Sequence, residues 1–329
     1  LRSSQAGIGS LVSNKKSDMQ ECDLELINEA VYEYISQYVD PQDILKNEPM
    51  SRHTTFCVGG EAEAFLRIRN KEQLEKLIPY FKLAELPYFV IGNGSNLLVG
   101  DKGYHGIILY LGDGMDQIQV DGNRLTIQAG CLMSRIAREA CEHALTGFEF
   151  ASGIPGSIGG GVVMNAGAYD GELGQIVTKV WVMNEEGEIL VLNNQDMEFG
   201  YRTSVIKKRP FIVVQVEMEL QPGNQEEIAA KMTELNRRRR DKQPLQYPSA
   251  GSTFKRPQGY FAGKLIMDAG LRGYSIGGAC VSEKHCGFII NKNHASAADV
   301  AEVICEVQER VKEKFGVTLE TEVILLGDF

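Results

Sequence analysis

Between Ala151 and Tyr169 the chain reads ASGIPGSIGGGVVMNAGAY, and six of these nineteen residues are glycine. In the interior of a helix or strand each glycine costs about 0.5–1 kcal/mol relative to alanine, so the stretch is expected to form neither. A solvated linker is also excluded, because Ile154, Ile158, Val162, Val163 and Met164 require dry surroundings. A segment that deletes side chains but keeps apolar ones suits close approach of backbone to another body.

A second glycine turn, GNGSN at 92–96, follows the short apolar strand predicted over Tyr88–Ile91. A dinucleotide fingerprint needs a helix directly after such a turn. Leu97-Leu98-Val99-Gly100-Asp101 is no helix, although Asp113 lies about where the fingerprint would place an acid. As a turn it still offers convergent backbone N–H groups to a phosphate. The two glycine turns belong to one strand-rich unit. Either they approach the same extended ligand, with amides for a pyrophosphate and Ile, Val and Met for a flat apolar ring, or they are two tight structural turns.

The 329 residues allow two or three domains, and 43% hydrophobic with 24% charged residues is ordinary for a folded protein. The net charge of −10 does not suit a binder of nucleic-acid phosphates. No apolar run approaches the roughly 20 residues of a membrane span. Seven cysteines without a CxxC, and five histidines without an HExxH, argue against a disulfide framework and a metal site, and favour a cytoplasmic setting. The polar opening, LRSSQAGIGSLVSNKKSDMQ, lacks a signal-peptide core and is expected to be a disordered arm.

Periodicity predicts a helix over Glu21–Val39, a strand over Ala64–Ile68, a helix over Lys71–Glu85 and the strand Tyr88–Ile91. Short strands follow at Gly106–Leu111, Gln117–Val120 and Arg124–Ala129, then a helix over Leu132–His143. A hairpin joins Thr178–Met183 to Glu188–Leu192, and Phe211–Leu220 is a further strand. Pro222-Gly223-Asn224 marks a boundary. Beyond it lie helices over Gln225–Arg240, Ala262–Ala269 and Ser296–Phe315, and strands at Tyr274–Val281, Gly287–Ile290 and Glu320–Leu326. The division is therefore an N-terminal arm and helix (1–46), a module over 47–221 with subdomains at about 47–105 and 106–221, and a unit over 222–329, of α+β class with mixed sheets.

Three further motifs have ordinary readings on their own. FGYRTSVIKKR at 199–209 is a surface arginine beside a packed tyrosine. Ser252, in YPSAGSTFKRP, is a turn serine, and with no G-x-S-x-G elbow a serine hydrolase is not supported. Glu322 alternates with Val323 on a strand and would face solvent. The run RRRR at 237–240 complements a helix C-terminus.

Taken together and in order, NEPMSRHTTFCVGG, VIGNGSNLLV, GIPGSIGGGVVMNAGAYDGEL, FGYRTS, KQPLQYPSAGSTFKRP, IGGACVSEKHCGFIIN and LETEVILLG resemble the UDP-N-acetylenolpyruvoylglucosamine reductase family (UDP-N-acetylmuramate dehydrogenases) over about residues 47–328. The resemblance implies a two-subdomain FAD-binding module of the vanillyl-alcohol-oxidase/PCMH type and a C-terminal α+β substrate domain. It implies noncovalent FAD, so neither Cys57 nor His53 is assigned a covalent link, and NADPH as hydride donor to a nucleotide-sugar. FAD would be wrapped by Thr55, by Gly92, Asn93, Gly94, Ser95 and Asn96, and by Gly153, Pro155, Gly156, Ser157, Gly159, Gly160, Asn165, Ala166, Gly167 and Ala168.

The same resemblance gives the isolated motifs their roles. Arg202 would face the substrate carboxylate, Ser252 would donate the proton to C2, and Glu322 would stabilise or protonate the enol form. Tyr201, Lys242, Arg256 and His285 would lie near the nucleotide-sugar. No metal is implied. Pro210 runs straight into FIVVQVEMEL, so the chain looks like the subtype without the extra tyrosine-bearing loop over the substrate. The rival readings are another flavin oxidoreductase on the same module and a nonenzymatic nucleotide-binding protein.

Overall fold

The computed structural model describes residues 27–329. The opening arm and the first residues of the helix predicted over Glu21–Val39 lie outside them. The described helix is Glu29–Ser36, started by the Asn28 side chain accepting from the Val31 N–H.

The first unit is a four-stranded sheet in the order Ile44–Pro49, Glu61–Ile68, Tyr104–Leu111, Tyr88–Ile91. Its outer pair is antiparallel, and the other strands run parallel to Tyr104–Leu111. The predicted strand–helix–strand run is present, with Lys71–Leu83 as the helix, but its two strands are not neighbours: Tyr104–Leu111 lies between them. Glu61–Ile68 is buried along most of its length, as a strand inside a covered sheet must be. Leu74, Leu77, Ile78 and Phe81 recur at helical spacing and seal one face.

The second unit is an antiparallel five-stranded sheet, ordered Ile189–Asn193, Val177–Met183, Ile212–Glu219, Arg124–Gln128, Ile118–Asp121. The glycine stretch crosses it, and here one expectation fails. Ile158–Val163 is a short helix containing Gly159, Gly160 and Gly161. Packing overrides propensity at this point. A Cβ on Gly159 would lie 2.9 Å from the Ala129 Cβ, and one on Gly161 3.0 Å from Leu173 Cδ1, so any larger residue would lift the turn off its support.

The helix Gln225–Lys242, expected to open the third unit, packs instead on the second, against Glu149–Ala151 and the helix Met133–Glu142. The Tyr169 hydroxyl donates to the Leu235 carbonyl at 3.2 Å, and Asn236 Nδ2 to Ser152 Oγ at 3.3 Å. This helix, beyond the boundary expected at Pro222, is thus held to the second unit, and its Arg240 carbonyl also accepts from Lys284 of the third.

The third unit pairs two helices, Ala262–Asp268 and Ala297–Phe315, with a small sheet of Ser275–Ile276, Ala279–Val281 and Ile289–Asn291. The single strand predicted over Tyr274–Val281 is two strands folded on Gly277, whose φ of 49° needs glycine. Val300, Val303, Ile304, Val307 and Val311 line the buried face of the long helix, each worth about 1.5–3 kcal/mol of burial. The predicted final strand is shortened to Ile324–Leu326, and it leaves the third unit to pair in parallel with Leu97–Val99 of the first. Asp101 adds a second tie. Its carboxylate accepts the N–H groups of Ala297 and Ala298, at 2.8 and 2.9 Å, at the start of the long helix. Among the described residues no helix is long and apolar enough to cross a membrane.

Candidate active site

The two glycine turns, far apart in sequence, touch. Asn93 Nδ2 donates to the Pro155 carbonyl. A Cβ on Gly92 would run into Ser157 Oγ, and one on Gly94, whose φ is 58°, would overlap the His53 carbonyl oxygen. At this meeting point, among the described residues, the N–H groups of Gly94, Ser95, Gly156 and Ser157 donate to no protein acceptor. Neighbouring unpaired amides of this kind form a cradle for a pyrophosphate. Gly160 is exposed, and a Cβ there meets only Ser157 Oγ, at 3.7 Å. A dinucleotide cofactor therefore fits the residues present: backbone donors at the crossing of the turns and an open glycine face beside them.

Several other residues of the expected cofactor set also make contacts within the protein. Gly153 makes room for the helix Gln225–Lys242, since a Cβ there would be 3.1 Å from Arg239 Cδ. Gly159 abuts Ala129, as described above. Asn165 is fully buried. Its Oδ1 accepts from the Gly174 N–H at 2.8 Å and one of its two Nδ2 hydrogens is donated to the Gly200 carbonyl at 3.1 Å, so its side chain ties the glycine stretch to the FGYRTS loop. Thr55 gives its hydroxyl to the Ser249 carbonyl at 2.7 Å. Gly167 and Ala168 pair with Gly171 and Glu172, and Ala166 O accepts from the Leu173 N–H. We expect Gly160→Leu to leave the fold intact, because the position is open, yet to weaken FAD binding at least tenfold. Flavin titration of the apoprotein checks this; unchanged affinity would place the cofactor elsewhere.

Arg202 lies where the second and third units meet. Its backbone is left-handed, φ 54°, in a turn closed by Gly200 and Thr203. A non-glycine residue held there stores strain of order 1–3 kcal/mol. Nη2 donates to the Gly167 carbonyl at 3.1 Å. Nε lies 2.8 Å from Glu322 Oε1, within ion-pair range but off the line of an N–H···O hydrogen bond. Burial pushes the Glu322 carboxyl above its ordinary range, against the pull of Arg202 and, less strongly, Lys255 and Lys207.

Glu322 is not a solvent-facing strand residue as its alternation suggested. Its N–H donates to the Thr253 carbonyl at 2.8 Å, and its own carbonyl accepts from Asn96 Nδ2 at 3.1 Å. The serine segment, the C-terminal segment and the GNGSN turn are thus laced together. Thr253 is fully buried, and its Oγ1 accepts from the Ile289 N–H at 3.1 Å. Ser252, one residue before it, is left exposed at the mouth of the cavity.

That cavity, about 440 Å³, gathers Arg202, Ser252, Glu322, Tyr201, Arg256 and His285. The Tyr201 hydroxyl accepts from the Arg256 N–H at 3.0 Å, bridging the two units. The Arg256 guanidinium stacks 4.0 Å from the Phe261 ring centre. Burial lowers the His285 pKa, and its Nδ1 accepts from the Gly287 N–H at 3.2 Å, which leaves the proton of the neutral ring on Nε2. Lys242 is not among the lining residues. It ends its helix, exposed, where a cation complements the helix terminus. Sequence reasoning missed Lys264, Arg272 and Lys284, which add three cations to the wall, and the exposed ring of Phe261. Their signal was a cluster of basic residues in a chain of net charge −10, visible only once the loops converge.

Two family models match the chain: one described as FAD binding domain over residues 62–193, and one described as UDP-N-acetylenolpyruvoylglucosamine reductase, C-terminal domain, over residues 243–326. The protein named UDP-N-acetylenolpyruvoylglucosamine reductase from Caldanaerobacter subterraneus subsp. tengcongensis is 52% identical over 282 residues, 86% of this chain and 93% of its own length. The protein of that name from Lachnoclostridium phytofermentans is 49% identical, covering 92% of this chain and 99% of its own. A crystal structure of the reductase from Thermus caldophilus superposes with a TM-score of 0.74 at 35% identity, covering 85% of this chain and 98% of the other.

Proposed function

This chain belongs to the UDP-N-acetylenolpyruvoylglucosamine reductase family, and from that premise we propose that it reduces UDP-N-acetyl-3-O-(1-carboxyvinyl)-glucosamine to UDP-N-acetylmuramate with NADPH, in the synthesis of peptidoglycan precursors in the cytoplasm. It is an FAD-dependent oxidoreductase. The observation that carries the specific reading is the convergence of Arg202, Ser252 and Glu322 in one cavity laced to the glycine turns through Asn96 and Gly167.

FAD held at the amides of Gly94, Ser95, Gly156 and Ser157 would supply the two-electron chemistry that links NADPH to C3 of the enolpyruvyl group. The chain's own residues complete the reaction at the other end of that double bond. Arg202 presents a guanidinium to the substrate carboxylate, where negative charge builds as C3 gains hydride. Ser252 places its hydroxyl to give a proton to C2, closing the balance of one hydride and one proton added across the bond. Burial keeps a larger share of Glu322 protonated near neutral pH, which suits it to resupply that hydroxyl. Arg256, Lys264, Arg272 and Lys284 offset the charge of the nucleotide diphosphate, while Tyr201 and His285 offer polar contacts to the sugar.

The purified protein is expected to be yellow, and acid precipitation is expected to release its flavin to the supernatant. Colour retained in the pellet would contradict noncovalent binding. A colourless protein that FAD cannot reconstitute would end the flavoenzyme reading.

A further inference from the structure

Four consecutive arginines, Arg237 to Arg240, lie on the helix Gln225–Lys242. Arg237 and Arg238 pair with Glu234, Arg237 also with Asp241, and Arg240 is exposed. Arg239 alone turns inward. Its Nε donates to Gln243 Oε1 at 2.9 Å, but its Nη1 is closed to solvent and has no hydrogen-bond partner among the described residues. Burial depresses its pKa, with Tyr169 the opposing influence. An unpaired donor on a buried cation is costly, and such groups are rare unless something outside the chain completes them.

The position of this donor says what completes it. A Cβ on Gly153 would sit 3.2 Å from Nη1, so the guanidinium lies directly against the start of the glycine stretch. The other end of that stretch is close as well: Tyr169 donates to Leu235 one turn earlier on the same helix, and Gly167, two residues before Tyr169, holds Arg202. The amides of Gly156 and Ser157 already provide for a diphosphate. A cofactor whose diphosphate met those amides, and whose ring reached the cavity of Arg202 and Ser252, would run along the same glycine stretch that Arg239 lies against.

We infer that Arg239 is the partner of the pyrimidine edge of the flavin ring, where its Nη1 donates to the N1–C2=O region and opposes the negative charge that gathers there on reduction. This inference rests on the flavin reading above. Arg239 would then be a potential-setting residue: the protein keeps a cation unsatisfied until the cofactor arrives and rewards the reduced ring more than the oxidised one. The helix that expectation gave to the substrate unit would belong to the flavin module for this reason.

The test is the redox equilibrium of the holoenzyme, measured against a reference dye, for the native protein, Arg239→Met and Arg239→Lys. Arg239→Met is expected to shift the equilibrium toward oxidised flavin about 10- to 100-fold, the worth of one charged hydrogen bond. Arg239→Lys should recover part of the shift, because the charge stays while the fixed fork is lost. Affinity for oxidised FAD should change less than the redox equilibrium. The Arg239→Met apoprotein should melt no lower than the native apoprotein, since an unpaired buried cation has been removed. An unchanged redox equilibrium would overturn the inference, as would a loss of FAD affinity with no redox change, which would assign the arginine to the diphosphate. An apoprotein that melts lower, in Arg239→Met and Arg239→Gln alike, would make the role structural. A native protein that binds no FAD would instead defeat the flavin reading itself.

Discussion

Ser252→Ala is expected to bind FAD and to be reduced by NADPH almost as the native enzyme is, but to pass hydride to the enolpyruvyl substrate roughly 10²–10⁴-fold more slowly, the usual worth of a general acid. The reason lies in how the residue is held. Ser252 is exposed at the cavity, and among the described residues its hydroxyl makes no hydrogen bond to protein. The neighbouring Thr253 does the structural work, through the Gly287 carbonyl, the Ile289 N–H and the Glu322 N–H. Removing the serine oxygen should therefore cost little stability and act only where a proton must reach C2. Ser252→Cys should restore part of the rate, since a thiol also donates a proton from nearly the same volume. Stopped-flow absorbance of the flavin separates the two half-reactions. Fast reoxidation in Ser252→Ala would remove this residue from the mechanism.

Arg202→Met carries the second large effect, about 10²–10³-fold on the same half-reaction, the loss expected when a preorganised donor facing developing charge is deleted. It also has a signature that simple damage would not show. Burial raises the Glu322 pKa, and Arg202 is the foremost charge pulling it back. With that cation gone the carboxyl must climb further, so the pH at which Glu322 gives up its proton moves up, and any break it causes in the reoxidation profile moves up with it. Arg202→Lys should keep the profile closer to native while still losing rate, because an ammonium cannot span a carboxylate with two parallel bonds. Equal losses in both half-reactions, with an unmoved profile, would show that Arg202 serves the fold, through its bond to Gly167, rather than the reaction.

The parts of this arrangement legible in the sequence were those carried by local chemistry. The helix Lys71–Leu83 and the long C-terminal helix announce themselves by their apolar spacing, and the structure adds the Asn70 cap of the first and the capping box of Ser296 with Asp299 in the second. The hairpin Val177–Asn193 follows from alternation around a glycine turn. What stayed hidden was set by contacts between segments far apart. Gly159 and Gly161 sit in a helix that no propensity favours, because Ala129 and Leu173 leave no room for a side chain. Glu322 reads as a solvent-facing strand residue until Ile324–Leu326 is seen to pair with Leu97–Val99, a partner more than two hundred residues earlier, which draws the glutamate in beside Asn96.

The site shows the same division. Arg202, Ser252 and Glu322 were expected together from the order of their motifs, and they do line one cavity. Lys242 was expected with them and is outside it, because a lysine ending a helix is equally well explained by the helix itself. Asn165 was expected at the cofactor, and its side chain also ties the glycine stretch to the Gly174 N–H and the Gly200 carbonyl. In both cases the residue type suits a ligand and a structural task alike, and the sequence does not separate the two. Arg239 is the converse: one of four arginines in a run, it is singled out by a buried nitrogen without a partner among the described residues.

The central claim is that flavin and enolpyruvyl nucleotide-sugar are served by one junction, and it is tested most directly by a single anaerobic turnover. Enzyme reduced with NADPH, freed of excess reductant, is mixed with UDP-N-acetyl-3-O-(1-carboxyvinyl)-glucosamine while the flavin absorbance is followed. The account predicts rapid return of the oxidised spectrum, formation of UDP-N-acetylmuramate in step with it, and no return with UDP-N-acetylglucosamine, which lacks the double bond. A flavin that stays reduced until oxygen is admitted, with no UDP-N-acetylmuramate formed, would contradict it.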